Sequence, residues 1–165
     1  MGRLLFKVKK PKWNKQAWPD WVPKGEIPAD CLKELRVENN RLSVWLFDGN
    51  PEDQKRIVTA LAANRPSLEQ VDFLVFEETL LQSIPLTIEK TNGDTPDSDA
   101  NSRFHRDLIE LTGAKLLALA TAVGMRGTTE RITAPKIREW LREAIANERL
   151  DVDRMDPDLR TKLAV

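Results

Sequence analysis

Two runs of bulky apolar residues constrain this chain more than any other feature. Residues 42–47 read Leu-Ser-Val-Trp-Leu-Phe, and residues 71–76 read Val-Asp-Phe-Leu-Val-Phe. Short runs of this kind suit strands buried in the middle of a sheet. The segment between them carries a full set of helix-start signals. Asp48-Gly49 turns the chain, Asn50 can cap, Pro51 suits the first helical position, and Glu52 and Asp53 favour the positive end of the helix dipole. Ile57, Val58, Leu61 and Ala62 share one face, and Asn64-Arg65-Pro66 stops the helix near residue 64. A strand, a crossover helix and a second strand predict a mixed, partly parallel sheet under a helical cover.

The flanking segments extend this plan. Leu4, Phe6 and Val8 alternate with Leu5, Lys7 and Lys9, the pattern of a half-buried strand. Pro28 opens a short helix through Cys31, Leu32 and Leu35. A turn at 77–81 leads to a weaker strand at 86–90, and the polar, acidic residues 92–102 read as a flexible loop. Phe104, Leu108, Leu111, Leu116, Leu117, Leu119, Ala120 and Val123 then suggest one long helix over 102–123, ended by Gly124 and Gly127. Thr133 caps a last helix, 134–149, whose Ile137, Trp140, Leu141, Ala144 and Ile145 follow a helical stripe.

The expected fold is a single α/β or α+β domain over residues 1–165. It has a mixed sheet of about four strands covered by helices. Its parts are a strand plus arm (1–27), an alternating strand/helix part (28–101), a C-terminal helix pair (102–150) and a polar tail (151–165).

The arm is the feature closest to function. Trp13, Trp18 and Trp21 stand among Pro11, Pro19, Pro23 and Pro28, behind Lys7, Lys9, Lys10 and Lys12. Proline keeps such a stretch out of regular helix. Burying one indole returns about 4–6 kcal/mol, from its 150–250 Å² at ~25 cal/mol/Å². That magnitude favours an arm that packs one or two tryptophans on its own domain and leaves the rest for a partner.

Charge is uneven along the chain. The totals balance at 26 basic and 26 acidic residues, but residues 1–25 hold seven basic and one acidic, and residues 44–102 hold four basic and eleven acidic. The balanced total gives no general pull toward nucleic acid or anionic membrane. The uneven distribution has the basic arm lying across the acidic middle of its own domain. A single cysteine, Cys31, forbids an intrachain disulfide and a thiolate metal cage, and fits a reducing, cytoplasmic setting as a buried thiol. No apolar run is long enough to span a bilayer.

No phosphate loop, dinucleotide-binding glycine triplet or nucleophile elbow occurs, and no cofactor or metal is expected. His105 is the sole histidine, so imidazole chemistry falls on it, with Asn101 or Asp107 as orienter. The bland alternative is a helix-start histidine packed on the core. Asp94, Asp97 and Asp99 lack the glycine and closing glutamate of a calcium loop. Lys136, Arg138 and Arg142 on the last helix are diluted by Glu139, Glu143 and Glu148, so a helix-turn-helix reading is the weaker one.

Three functions remain. The first is a non-enzymatic protein-binding module (an adaptor, inhibitor or immunity-type protein) that meets a protein partner, a basic one included, through an acidic surface and Trp13, Trp18, Trp21, Lys10 and Lys12. The second is nucleic-acid binding through the Trp/Lys arm and the C-terminal helices. The third is a small hydrolase or transferase with His105 as base.

Overall fold

A computed structural model describes residues 2–165 of the chain. Its centre is a seven-stranded sheet formed by β1 (Arg3–Lys7), β2 (Val37–Glu38), β3 (Arg41–Phe47), β4 (Val71–Glu77), β5 (Thr87–Lys90), β6 (His105–Ile109) and β7 (Thr128–Ile132). The strand order is β5-β6-β3-β1-β4-β7, with β2 paired to β3, and every pairing is antiparallel. The fold is a single α+β unit, and its sheet is larger than the four strands expected.

The absence of parallel neighbours has a simple cause. Helix α3 (Pro51–Ala63) joins β3 to β4 as the sequence suggests, with Asn50 accepting from the Glu52 amide at its start. The two strands it joins run the same way. The N-terminal strand β1 lies between them and opposes both, from Leu5↔Trp45 on one side to Leu5↔Val75 on the other. A strand far away in sequence thus splits the crossover unit and makes each contact antiparallel.

Period-two alternation sorts the strand residues onto two cores. On one face Leu5, Trp45, Phe47, Val71, Phe73 and Val75 pack under α3, α4 (Ser98–Phe104), α6 (Ala134–Ala146) and α7 (Pro157–Leu163). On the other, Leu4, Phe6, Leu42, Val44, Leu74, Phe76 and Leu108 pack under α1 (Lys10–Trp13), α2 (Ala29–Leu32) and α5 (Gly113–Arg126).

Four expectations for the C-terminal half are corrected. Residues 102–123 do not form one helix. Helix α4 stops at Phe104, and residues His105–Ile109 pair with β3 and β5 on their two sides. The hydrogen-bonding edge of β3 outweighs the helical stripe, which sheet burial satisfies equally well through Leu108. The segment between the two C-terminal helices is β7, paired along β4, so those helices are not a bare pair and form no helix-turn-helix. The polar tail holds more than the one helical turn that Asp156-Pro157 allows: Asp156 caps the seven-residue α7, and Met155, Leu159 and Leu163 are buried in the first core. The acidic segment 92–102 is likewise held, since Asp97 caps α4 by accepting from the Ala100 amide at 2.8 Å.

Candidate functional site

The arm folds down on the second core. Despite its prolines it forms a four-residue helix, α1, with Pro11 in its first turn, followed by a 3₁₀ turn at Lys15–Ala17. Trp13 is 3% exposed and meets Phe6 edge-on, with ring centroids 6.1 Å apart. Trp18 is half-buried, and its indole N–H donates to the Lys12 carbonyl at 2.9 Å. Trp21 is 76% exposed. Gly124 of α5 lies directly beneath: a Cβ there would sit 2.8 Å from Ile27 Cγ2 and 3.6 Å from both Trp13 and Trp18. Only a glycine lets the arm approach α5 this closely.

Polar bonds pin the same segment. The Lys9 amide donates to Glu34 at 3.1 Å, the Lys10 amide to Asp72 at 2.9 Å, and Lys12 Nζ pairs with Asp30. Lys15 Nζ donates to the Met125 carbonyl at the end of α5. Cys31, buried below, has its thiol pushed up to about 11 by desolvation and by the nearby Asp30 and Glu34. The arm is therefore a strap across α5, and Trp21 is the indole it leaves in water.

The acidic middle is neutralised mainly by arginines of the domain rather than by the arm. Asp97 is buried and takes two 2.8 Å bonds from Arg56, which also reaches Asp99 at 2.7 Å. Arg3 meets Glu77, Arg41 meets Glu89, and Arg154 meets Asp94. Asp72 receives Arg131 through two bonds, at 2.6 and 2.9 Å. Little of this charge is left to present as an acidic surface.

His105 opens β6 rather than a helix. It is 8% exposed, stands edge-on to Trp45 with centroids 5.1 Å apart, and its Nδ1 lies 2.8 Å from Thr91 Oγ1. Desolvation holds its imidazole below the ordinary value, against an opposing pull from Asp107. Asn101 is buried and bonded to Thr95 through its amide nitrogen and oxygen. Asp107 accepts from Ser43 at 3.1 Å and lies 3.5 Å from Arg41. Gly93 closes the cluster from above, since a Cβ there would come 2.8 Å from Asn101 Oδ1 and 3.1 Å from His105. The three residues are neighbours, but each polar group is engaged with a different structural partner. Among the described residues no group of three or more His, Cys, Asp or Glu side chains is arranged to hold a metal ion, and no helix is long and apolar enough to cross a membrane.

A concavity of about 960 Å³ was not foreseen. It opens where β1 and β2 part along one edge of β3. The β1 ladder ends at Leu5↔Trp45, and the β2 ladder covers only Leu42 and Arg41. Asn39 and Asn40, at φ 51° and 58°, form the tight turn that holds β2 against that edge. Ser43 stands exposed in the gap. Lys7, Arg36, Arg65, Glu34, Glu38 and Glu69 ring the cleft over an apolar floor that includes Leu42, Trp45 and Leu61. In sequence these residues are scattered over 60 positions, and only the sheet topology gathers them.

Comparison with protein-family models, curated proteins and solved structures gives no match for this chain.

Proposed function

We propose that this protein is a non-enzymatic binding module for another protein, and that it docks through α5 and the strap across it. One observation carries the reading. The outward side of α5, with Ala114, Leu117, Ala118 and Thr121, carries no charge, and its Leu117 is 51% exposed. Trp21 lies on the strap whose flanking Trp18 and Ile27 both touch α5 at Gly124. Trp21 and Leu117 are two of the three exposed large hydrophobics among the described residues, the third being the terminal Val165. An exposed tryptophan on a strap that crosses a helix with a charge-free face has the composition of an interface rather than of ordinary surface.

The complementary chemistry is an apolar face on the partner with a polar rim. An acidic surface reserved for a basic partner fits less well, because most of those carboxylates are already paired with Arg3, Arg41, Arg56, Arg103, Arg131 and Arg154. Burying Trp21 alone supplies about 4–6 kcal/mol before ordering costs. Trp21→Ala is therefore expected to weaken a purified complex about thirtyfold or more, the scale of a hot-spot residue. The partner is to be isolated by affinity capture with the wild-type protein, and its binding then measured by calorimetry against Trp21→Ala and Leu117→Lys. Equal affinity for all three proteins would overturn the proposal. So would retention only of nucleic acid, released steeply by salt.

A further inference from the structure

The cleft between β1 and β2 is lined mostly by residues outside α5 and its strap, although Lys9, Pro11 and Lys12 of the arm also border it. Its lining includes six cationic residues, Lys7, Lys9, Lys12, Arg36, Arg65 and Arg131. Two of them are matched: Arg131 by Asp72 and Lys12 by Asp30. Arg65 donates to the Gln70 carbonyl at 3.1 Å through Nη1 and reaches Glu69 only at 4.0 Å, so its charge has no close carboxylate. The side chains of Lys7, Lys9 and Arg36 have no ion pair or hydrogen bond among the described residues, in a fold where most other arginines are paired.

Lys7 marks the centre of this imbalance. It ends β1, where the ladder to β3 has already parted, on the same sheet face as Ser43 and Trp45. Desolvation in the cleft, then Arg65 and Arg36, hold its ammonium below the ordinary lysine value, against weaker pulls from Glu69 and Glu34. Two guanidiniums thus outweigh two carboxylates at one ammonium. Such a centre lacks an anion. Guanidinium forks and an ammonium together match the oxygens of a phosphate group, which carries close to two negative charges at neutral pH. The cavity is larger than phosphate alone requires, and part of its wall is apolar, with Phe6, Val8, Leu42, Trp45 and Leu61 beside the polar Ser43, Asn64 and Gln70. A volume of this order suits a small organic molecule.

We propose that this cleft binds a small phosphate monoester, with the phosphate held by Lys7, Arg36 and Arg65 and an apolar or aromatic body lying toward Leu42, Trp45 and Leu61. Glu34, Glu38 and Glu69 form an acidic rim that disfavours ligands with more than one anionic group.

The test is a heteronuclear NMR titration of the full chain at constant ionic strength, with inorganic phosphate, phenyl phosphate, benzoate and chloride. Phenyl phosphate is expected to give saturable shifts at Lys7, Arg36, Leu42 and Ser43, and to bind more tightly than inorganic phosphate. The Lys7 ammonium should titrate at higher pH in the bound state. Affinity should fall as the pH drops below about 6, where phosphate takes up its second proton. Lys7→Met and Arg36→Met are each expected to weaken binding about tenfold or more, the scale of a lost charge-assisted bond. Arg126→Ala, on the remote end of α5, should leave it unchanged. Shifts that do not saturate, that chloride reproduces, or that survive in Lys7→Met and Arg36→Met would overturn the proposal. So would tighter binding of benzoate than of phenyl phosphate. Both variants lie at open positions of the cleft, so a matching native spectrum separates lost binding from lost folding.

Discussion

Removing the Asp72 carboxylate is expected to unlatch the arm. Asp72 sits buried on β4 and joins three parts of the molecule: its own strand, Arg131 of β7 and the Lys10 amide at the start of α1. The Arg131 side chain is 34% exposed, so its pairing belongs on the surface scale of about 1 kcal/mol despite bonds of 2.6 and 2.9 Å. The Lys10 amide, left without its acceptor, adds about 1–2 kcal/mol. Asp72→Ala should therefore lower unfolding free energy by about 2–3 kcal/mol in urea titration. Asp72→Asn keeps one acceptor oxygen and should lose about half as much. Hydrogen exchange should show the loss concentrated in the amides of residues 10–35. Acid gives an independent check. Burial alone would raise the Asp72 carboxyl above 3.8, but the Arg131 bonds and the Lys10 amide outweigh it and hold it lower. A carboxyl depressed on folding stabilises above its unfolded value, and that stability is lost as the pH falls through the folded value. The wild type should therefore lose the Asp72 contribution below about pH 4, and Asp72→Ala should have none to lose. A change of less than about 0.5 kcal/mol in urea, with unchanged exchange in the arm, would refute the reasoning.

Asp97→Ala should cost more, about 3–5 kcal/mol, because it leaves Arg56 half-buried without its main partner and uncaps α4; chemical denaturation checks this, and Arg56→Met added to it should recover part of the loss. Gly124→Ala places a Cβ 2.8 Å from Ile27, and should cost about 1–3 kcal/mol with faster exchange in residues 13–27. Cys31, with its thiol near 11 and buried, should resist alkylation at pH 8 in the native protein and react fully in urea, as mass spectrometry reads directly.

The sequence carried the local signals faithfully and the long-range ones poorly. Asn50-Pro51 announced α3, and the indole energetics announced that one or two tryptophans pack, without saying that the buried one is Trp13 and the wet one Trp21. Residues 105–109 were misread because Phe104, Leu108 and Leu111 satisfy a helical spacing, while the strand buries only Leu108 and His105 on its two faces, and what decides between them is the open edge of β3, about 60 positions away. Two local cues did oppose a continuous helix: Thr112, whose hydroxyl accepts from the Lys115 amide, and Gly113. Strand β7 was hidden by its polar composition, Thr-Thr-Glu-Arg-Ile, which an edge strand tolerates. The cleft had no sequence signal, since Lys7 and Arg36 line it only because β1 and β2 share one edge of β3, and Arg65 only because α3 ends there.

The docking face is tested most directly by placing a photo-crosslinking residue at position 21, at position 117 and, as a control, at exposed Arg138 of α6. Irradiation in native extract should join one and the same protein to positions 21 and 117 and not to 138. Different proteins at 21 and 117, or the same one at all three, would contradict a single interface formed by the strap and α5.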